Sequence, residues 1–224
     1  MIMLNLFEAF RKRVLDDPTL PGRAVKWDEA GDLDTELTDE GREQARLVGR
    51  RLAGTRIHLA VSSHLIRARD TALAILEHHN NVELEQWKLV KERCFGHLLE
   101  GNLELIKAQS LVEDSVQDRA LLTWRPPGGE CIVDLQDRVS NFLEQVQERA
   151  VMMPETCPTI LVATHGGFMS ELYRVLVKPK MFNKPKLRNT AIDQYRITLK
   201  DNGTGKMEMK KATIELDSCA NHLG

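Results

Sequence analysis

The stretch TILVATHGGFMSELY, residues 159–173, decides how the chain is read. Its first six residues form a continuous uncharged, apolar run, the pattern of a strand buried on both faces of a sheet. After His165 a helix is expected to run to about Val177, so a strand passes through a Gly-Gly turn into a helix. In open α/β sheets ligands gather at the carboxyl ends of strands, which is where His165 falls. A histidine there, ahead of two glycines that admit close backbone approach, reads as a phosphate ligand or an acid/base. It reads equally well as a hydrogen-bonded structural histidine.

Outward from that stretch, strand and helix signals alternate. Thr38 is placed to cap a helix, with Leu37 before it as a staple; Ala45, Val48 and Leu52 then share one face and Gly54 closes it. A strand is expected over Ile57–Val61, a helix from about Leu65 to His78, and a strand over Val82–Trp87. Residues 103–122 are amphipathic and read as helical. RPPGGE, residues 125–130, breaks the chain before a helix in which Leu135, Val139, Phe142, Leu143 and Val146 repeat at helical spacing. Two strands joined around DNGTG, residues 201–205, follow the helix after His165. This alternation predicts an α/β three-layer sandwich with a largely parallel central sheet. The expected division is a divergent lead-in over 1–30, one domain over 31–216 and a polar tail over 217–224.

Bulk properties narrow the function classes. The 224 residues are 42% hydrophobic and 5% aromatic, with a net charge of −2, which supplies no basic field for nucleic acid. Any pull on an anionic ligand must come from a few local cations. Cys94, Cys131, Cys157 and Cys219 lie far apart and suggest neither a zinc cluster nor a disulfide framework. Reduced thiols, and an apolar Met1–Phe7 too short to span a bilayer, point to a soluble cytoplasmic protein. Met1–Phe7 is open to two readings. It can fill a strand position, or it can begin an amphipathic helix with Leu4, Phe7, Phe10 and Val14 on one face, the somewhat stronger pattern because the stripe continues past residue 7.

Three further places can carry chemistry. In SSHLIRARDTA, residues 62–72, Arg67 and Arg69 lie just beyond a strand near a helix start, where backbone N–H groups and a guanidinium fork can grip one anion. Surface arginines make the same pattern. Ser63 and Gly166 stand at the ends of the two strands that carry these motifs. Glu92, in KERCFGHLLEG at residues 91–101, can protonate a leaving oxygen if burial raises its pKa. Most glutamates are simply exposed. His64 reads as a surface loop residue, His58 as pointing to a sheet face, and His78, His79 and His97 have no supporting motif.

Taken in order, LTDEGREQARLVGRRL (37–52), SSHLIRARDTA (62–72), KERCFGHLLEG (91–101), PPGGECIVDLQDRV (126–139) and VATHGGF (162–168) resemble the histidine phosphatase superfamily, the phosphoglycerate mutase-like family. The resemblance covers about Gly31–Leu199. PPGGE, RNTAI at 188–192 and the SCANHLG tail are similar to the TIGAR branch, which resembles fructose-2,6-bisphosphatase. The resemblance implies metal-free and cofactor-free removal of phosphate from a small phosphorylated metabolite through a phosphohistidine. It would make Arg67 the phosphate binder, His165 the stabiliser of the transferring group and Glu92 the general acid, with Ser63 and Gly166 at the substrate.

The family also implies a nucleophilic histidine in an Arg-His-Gly motif at the end of its first strand, and none is present. No histidine precedes His58. Counting back from Gly31 reaches Asp17-Pro18-Thr19, and aligning the apolar start sets Asn5-Leu6-Phe7-Glu8 against Arg-His-Gly-Glu, matching only Glu8. Loss of a covalent nucleophile can reduce turnover on the order of 10⁶-fold. The expectation is an impaired phosphatase, arising from an alternative start to an active gene. The alternatives are a phosphate-binding pseudoenzyme, a phosphoglycerate mutase, or a scaffold whose motif matches are structural.

Overall fold

The computed structural model describes residues 1–5, 26–27, 33–94, 96, 123–125, 127–177 and 187–224. The helix expected over 103–122, and His97, lie outside them. Eight strands are described: β1 Ile2–Asn5, β2 Lys26–Trp27, β3 Leu33–Asp34, β4 Leu59–Ser62, β5 Leu84–Gln86, β6 Ile160–Thr164, β7 Ile192–Asp201 and β8 Met207–Cys219. The helices are α1 Asp39–Leu52, α2 Ile66–Leu76, α3 Ile132–Met152 and α4 Gly166–Leu176.

Six strands form one sheet in the order β5-β4-β6-β1-β7-β8, and β2 and β3 make a separate pair. The strands β5, β4, β6 and β1 run parallel, while β7 and β8 are antiparallel additions at one side. The two apolar cores follow from strand alternation, since successive side chains point to opposite faces. Leu59 and Val61 of β4 and Ile160 and Val162 of β6 pack with Leu135, Val139 and Phe142 of α3 and Phe168 and Leu172 of α4. Ala60 and Leu161, one residue out of phase, pack with Val48 and Leu52 of α1 and Ile75 of α2. Helix pairs therefore cover both faces of the sheet, which is the expected three-layer α/β sandwich.

Local chemistry sets the helix starts. The Thr38 hydroxyl accepts from the Gly41 N–H at 3.0 Å and opens α1 as expected. At α3 the Asp134 carboxylate reaches back to the Cys131 N–H at 2.8 Å, closing the first turn after PPGGE.

The amino terminus corrects the sequence reading. The helical stripe through Leu4 looked stronger than a strand, but Ile2–Asn5 is the strand β1, between β6 and β7 in the middle of the sheet. The rest of that stripe lies outside the described residues. A slot between two strands satisfies the backbone groups of an inserted segment on both sides, whereas the first turn of a helix leaves its N–H groups without partners. Strand ladders on both flanks outweigh a helical stripe in these four residues. Beyond them, Met1 exchanges hydrogen bonds with Tyr195, its ammonium donating to the Tyr195 carbonyl at 2.9 Å and its carbonyl accepting from the Tyr195 N–H at 2.9 Å. At the other end β8 runs to Cys219, and His222 shares a 2.9 Å hydrogen bond with the Thr190 hydroxyl.

Candidate active site

The register brings three strand ends to one edge. Ser62 of β4 pairs with Ala163 of β6, and Asn5 of β1 pairs with Thr164, so the carboxyl ends of β4, β6 and β1 stand side by side. The chain after β5 crosses the same edge: the Thr164 hydroxyl donates to the Val90 carbonyl at 2.6 Å. Two residues later comes Glu92.

His165, directly after β6, is fully buried, and neither ring nitrogen has a hydrogen-bond partner among the described residues. Burial holds its pKa well below the usual histidine value, and the charges of Arg67, Arg138 and His64 push it the same way. That shift favours the neutral imidazole.

Arg67 lies in the first turn of α2 and is 7% exposed. Arg69, two residues on and on the other side of the helix, forks onto the neighbouring Asp70 at 2.8 and 3.0 Å. Only Arg67 faces the site, and its charge acts on both His165 and Glu92. The helix start itself is less open to an anion than the sequence suggests. The Ile66 N–H donates to the Asp34 carboxylate at 2.8 Å, and the Leu65 N–H to the Ser63 hydroxyl at 3.3 Å. These two backbone N–H groups are thus already taken by acceptors of the chain. Ser63 is buried at the end of β4 as expected, with its hydroxyl engaged in that turn.

Glu92 is buried, and burial raises its pKa above the usual glutamate value against the opposing pull of the Arg93 and Gly167 N–H groups and of Arg67 and Arg138. Its Oε1 accepts from the Arg93 N–H at 2.8 Å and the Gly167 N–H at 3.1 Å. The Gly-Gly pair consequently has a different use from the expected one. At Gly167 it is the Glu92 carboxylate that approaches the backbone, and a Cβ there would stand 2.5 Å from Oε1. Gly166 remains at the amino end of α4, next to His165.

The other histidines separate clearly. His64, expected on the surface, is half-buried and bears on His165 electrostatically. His58 accepts from the Thr159 N–H at 2.8 Å, at the amino end of β6 and away from the site. His78 packs against Gly49 between α1 and α2.

Sequence reasoning missed Arg138 and Glu130. Arg138 is 9% exposed and forms a double hydrogen bond with the Glu130 carboxylate, at 2.9 and 2.8 Å. Its signal was present: three residues beyond Leu135 and one before Val139, a charge on the apolar stripe of a helix must have a buried partner. The PPGGE turn is fixed by Gly96, whose φ is +56° and whose Cβ, if present, would lie 2.2 Å from the Pro127 carbonyl oxygen.

A family model for the histidine phosphatase superfamily (branch 1) matches residues 24–209. The chain belongs to that superfamily. A Schizosaccharomyces pombe protein named "Probable phosphatase C1687.21" is 29% identical over 196 residues, covering 84% of this chain and 87% of that one. "Phosphoglycerate mutase-like protein 4" of Arabidopsis thaliana is 29% identical over 170 residues, covering 75% and 71%. Among solved structures, YhfR of Bacillus stearothermophilus superposes with a TM-score of 0.72 over 100% of this chain and 98% of its own, at 17% identity, a likeness of fold. The relatives include phosphatase and mutase names, so the branch within the superfamily is not fixed by them. No helix among the described residues is long and apolar enough to cross a membrane.

Proposed function

We propose that this chain binds a small phosphorylated metabolite at the edge formed by Arg67, His165 and Glu92, as a phosphomonoester hydrolase of the fructose-2,6-bisphosphatase-like kind whose turnover is impaired. The observation that carries this reading is that the charge of Arg67 bears at once on a buried His165 with no hydrogen-bond partner among the described residues and on a carboxyl group with raised proton affinity. Phosphoryl transfer needs fixed cations and donors around the equatorial oxygens and a proton for the leaving oxygen. Arg67 supplies the fixed charge, His165 the neutral nitrogen and Glu92 the proton, with Ser63 and Gly166 beside them at the strand ends. The site residues need no metal or organic cofactor for these roles, and the TIGAR-like assignment is supported by PPGGE, RNTAI and the SCANHLG tail. The cytoplasm, where such metabolites reside, is the compartment this reading implies.

Calorimetric titration with inorganic phosphate and with fructose 2,6-bisphosphate tests it. Arg67→Ala is expected to weaken phosphate at least about tenfold, the size of one lost charge-assisted contact, with little change in melting temperature. Equal affinity in the two proteins would leave the motif matches as scaffold only.

A second reading, phosphate binding without turnover, is favoured by one observation: no Arg-His-Gly exists in the chain. Incubation with ³²P-labelled substrate separates the two. Acid-labile label abolished by changing a histidine supports the enzyme, and binding without label supports the pseudoenzyme. Release of phosphate rather than isomerised phosphoglycerate separates hydrolase from mutase.

A further inference from the structure

The position of Glu92 needs an explanation, because the residue belongs to no helix or strand. The short turn Lys88–Val90 ends before it, and the four residues that follow have no regular backbone ladder. A carboxyl group that must meet a leaving oxygen has to be held from outside its own segment.

Arg138 does this. A guanidinium has five N–H donors in a fixed plane, and here each has an acceptor. Nε and one Nη2 hydrogen grip the Glu130 carboxylate at 2.9 and 2.8 Å. Nη1 donates to the Leu89 carbonyl at 2.9 Å and the Lys91 carbonyl at 2.7 Å, and Nη2 to the carbonyl of Glu92 itself at 3.3 Å. Glu130 extends the grip downstream. Its Oε2 accepts from the Cys94 N–H at 3.0 Å, and its N–H donates to the Cys94 carbonyl at 2.8 Å. One ion pair thereby fixes the backbone on both sides of Glu92. The guanidinium also lies 5.6 Å from the centre of the Phe168 ring, and Phe168 follows the Gly167 whose N–H meets the Glu92 carboxylate.

We propose that Arg138, seated by Glu130, is the positioning residue for Glu92, registering its carboxyl group against the start of α4. This rests on the reading of Glu92 as the proton donor. Arg138 touches neither His165 nor Arg67 through any hydrogen bond described, so its role is exerted through the 89–94 segment. Lysine cannot replace it, since one ammonium has three donors and no fork to engage a carboxylate and three carbonyls together. The charged and titratable groups bearing on Glu92 are Arg67 and Arg138, with Arg93 beside it in sequence and Glu130 behind Arg138.

The test is the titration of the Glu92 carboxyl carbon by ¹³C NMR in the full chain, assigned by the signal lost in Glu92→Gln. Arg138→Lys keeps the charge and loses the fork, and Arg138→Met keeps the bulk and loses both. The expected result is a Glu92 midpoint moved by at least about half a pH unit, roughly threefold in proton affinity, in both variants, with the amide spectrum of the β7–β8 hairpin unchanged. Should Arg138→Met not fold, Glu130→Gln breaks the same pair with a smaller change of shape. A purely structural role predicts lower melting temperatures and an unmoved Glu92 midpoint in Arg138→Lys, which keeps the charge, and that result overturns the proposal; in Arg138→Met the lost charge moves the midpoint by itself. Phosphate titration of the wild-type chain keeps the two claims apart. A midpoint that moves in a protein that binds no phosphate upholds the positioning and removes the functional reading, whereas bound phosphate with an unmoved midpoint removes the positioning alone.

Discussion

The Glu92 carboxylate accepts a hydrogen bond from the Gly167 N–H at 3.1 Å, so the loop after β5 and the first turn of α4 meet through one backbone group. That contact places a buried acid against the first turn of α4, two residues after His165. It also explains why two glycines follow the histidine: the second is the floor of the carboxylate site.

Gly167→Ala places a methyl carbon 2.5 Å from the Glu92 Oε1. The carboxylate must move or α4 must shift, and such overpacking costs roughly 1–3 kcal/mol. Urea denaturation should show that loss, together with weaker phosphate binding as the edge is disturbed. A variant with wild-type stability and affinity would mean that the loop yields freely.

Gly96→Ala tests the neighbouring turn. With φ at +56° and the Pro127 oxygen 2.2 Å from a new Cβ, both backbone strain and a direct clash oppose the substitution. Strain in the left-handed region alone costs on the order of 1–3 kcal/mol. A melting temperature lowered by several degrees is expected, because a ΔΔG of ~1 kcal/mol shifts Tm by about 2–4 °C in a domain this size. An unchanged Tm would show that the PPGGE turn is not held by this contact.

Much of the layer structure was legible because period-2 and period-3.6 patterns report on burial directly. Ile160–Thr164 and the face through Leu135, Val139 and Phe142 form the elements that their patterns indicate. The amino terminus was not legible, because the stripe through Leu4, Phe7, Phe10 and Val14 favours a helix, and only pairing with β6 and β7 makes Ile2–Asn5 a strand. Arg67 and Arg69 could not be separated by sequence either. Their two-residue spacing puts one inward and one onto Asp70, and which is which depends on how α2 docks. Arg138 was readable as a charge on an apolar stripe, but its partner eight residues earlier, before the start of α3, becomes a partner only when the turn folds back.

The end of β1 offers a gain-of-function prediction. Asn5 pairs with Thr164, beside His165, and its alignment with the arginine of Arg-His-Gly sets Leu6 at the histidine position. Asn5→Arg, Leu6→His and Phe7→Gly together are expected to raise phosphatase turnover by several orders of magnitude, since a lost covalent nucleophile can account for about 10⁶. Phosphate release from p-nitrophenyl phosphate measures it. Turnover no higher than in the parent chain would count against a nucleophile lost at those three residues.

His165 should leave its mark on stability at acid pH. In the unfolded chain it titrates near 6.5, whereas in the fold burial and the charges of Arg67, Arg138 and His64 hold its pKa well below that. Between the two values the unfolded chain binds a proton that the folded chain refuses, so protonation favours unfolding. The stability associated with the neutral imidazole is present in full above about pH 6.5 and is lost progressively as pH falls through that value towards the folded pKa. One such group steepens the dependence by at most about 1.4 kcal/mol per pH unit. Glu92, with a raised pKa, has the opposite sign: its contribution is complete below the unfolded glutamate value and declines as pH rises through the folded one. His165→Asn removes only the first effect, so its unfolding free energy between pH 6.5 and 5 should fall less steeply than that of the parent. Urea midpoints at pH 7.5, 6.5, 5.8 and 5.0 measure both slopes, and parallel lines for the two proteins would mean that the imidazole takes up its proton within the fold as readily as in water.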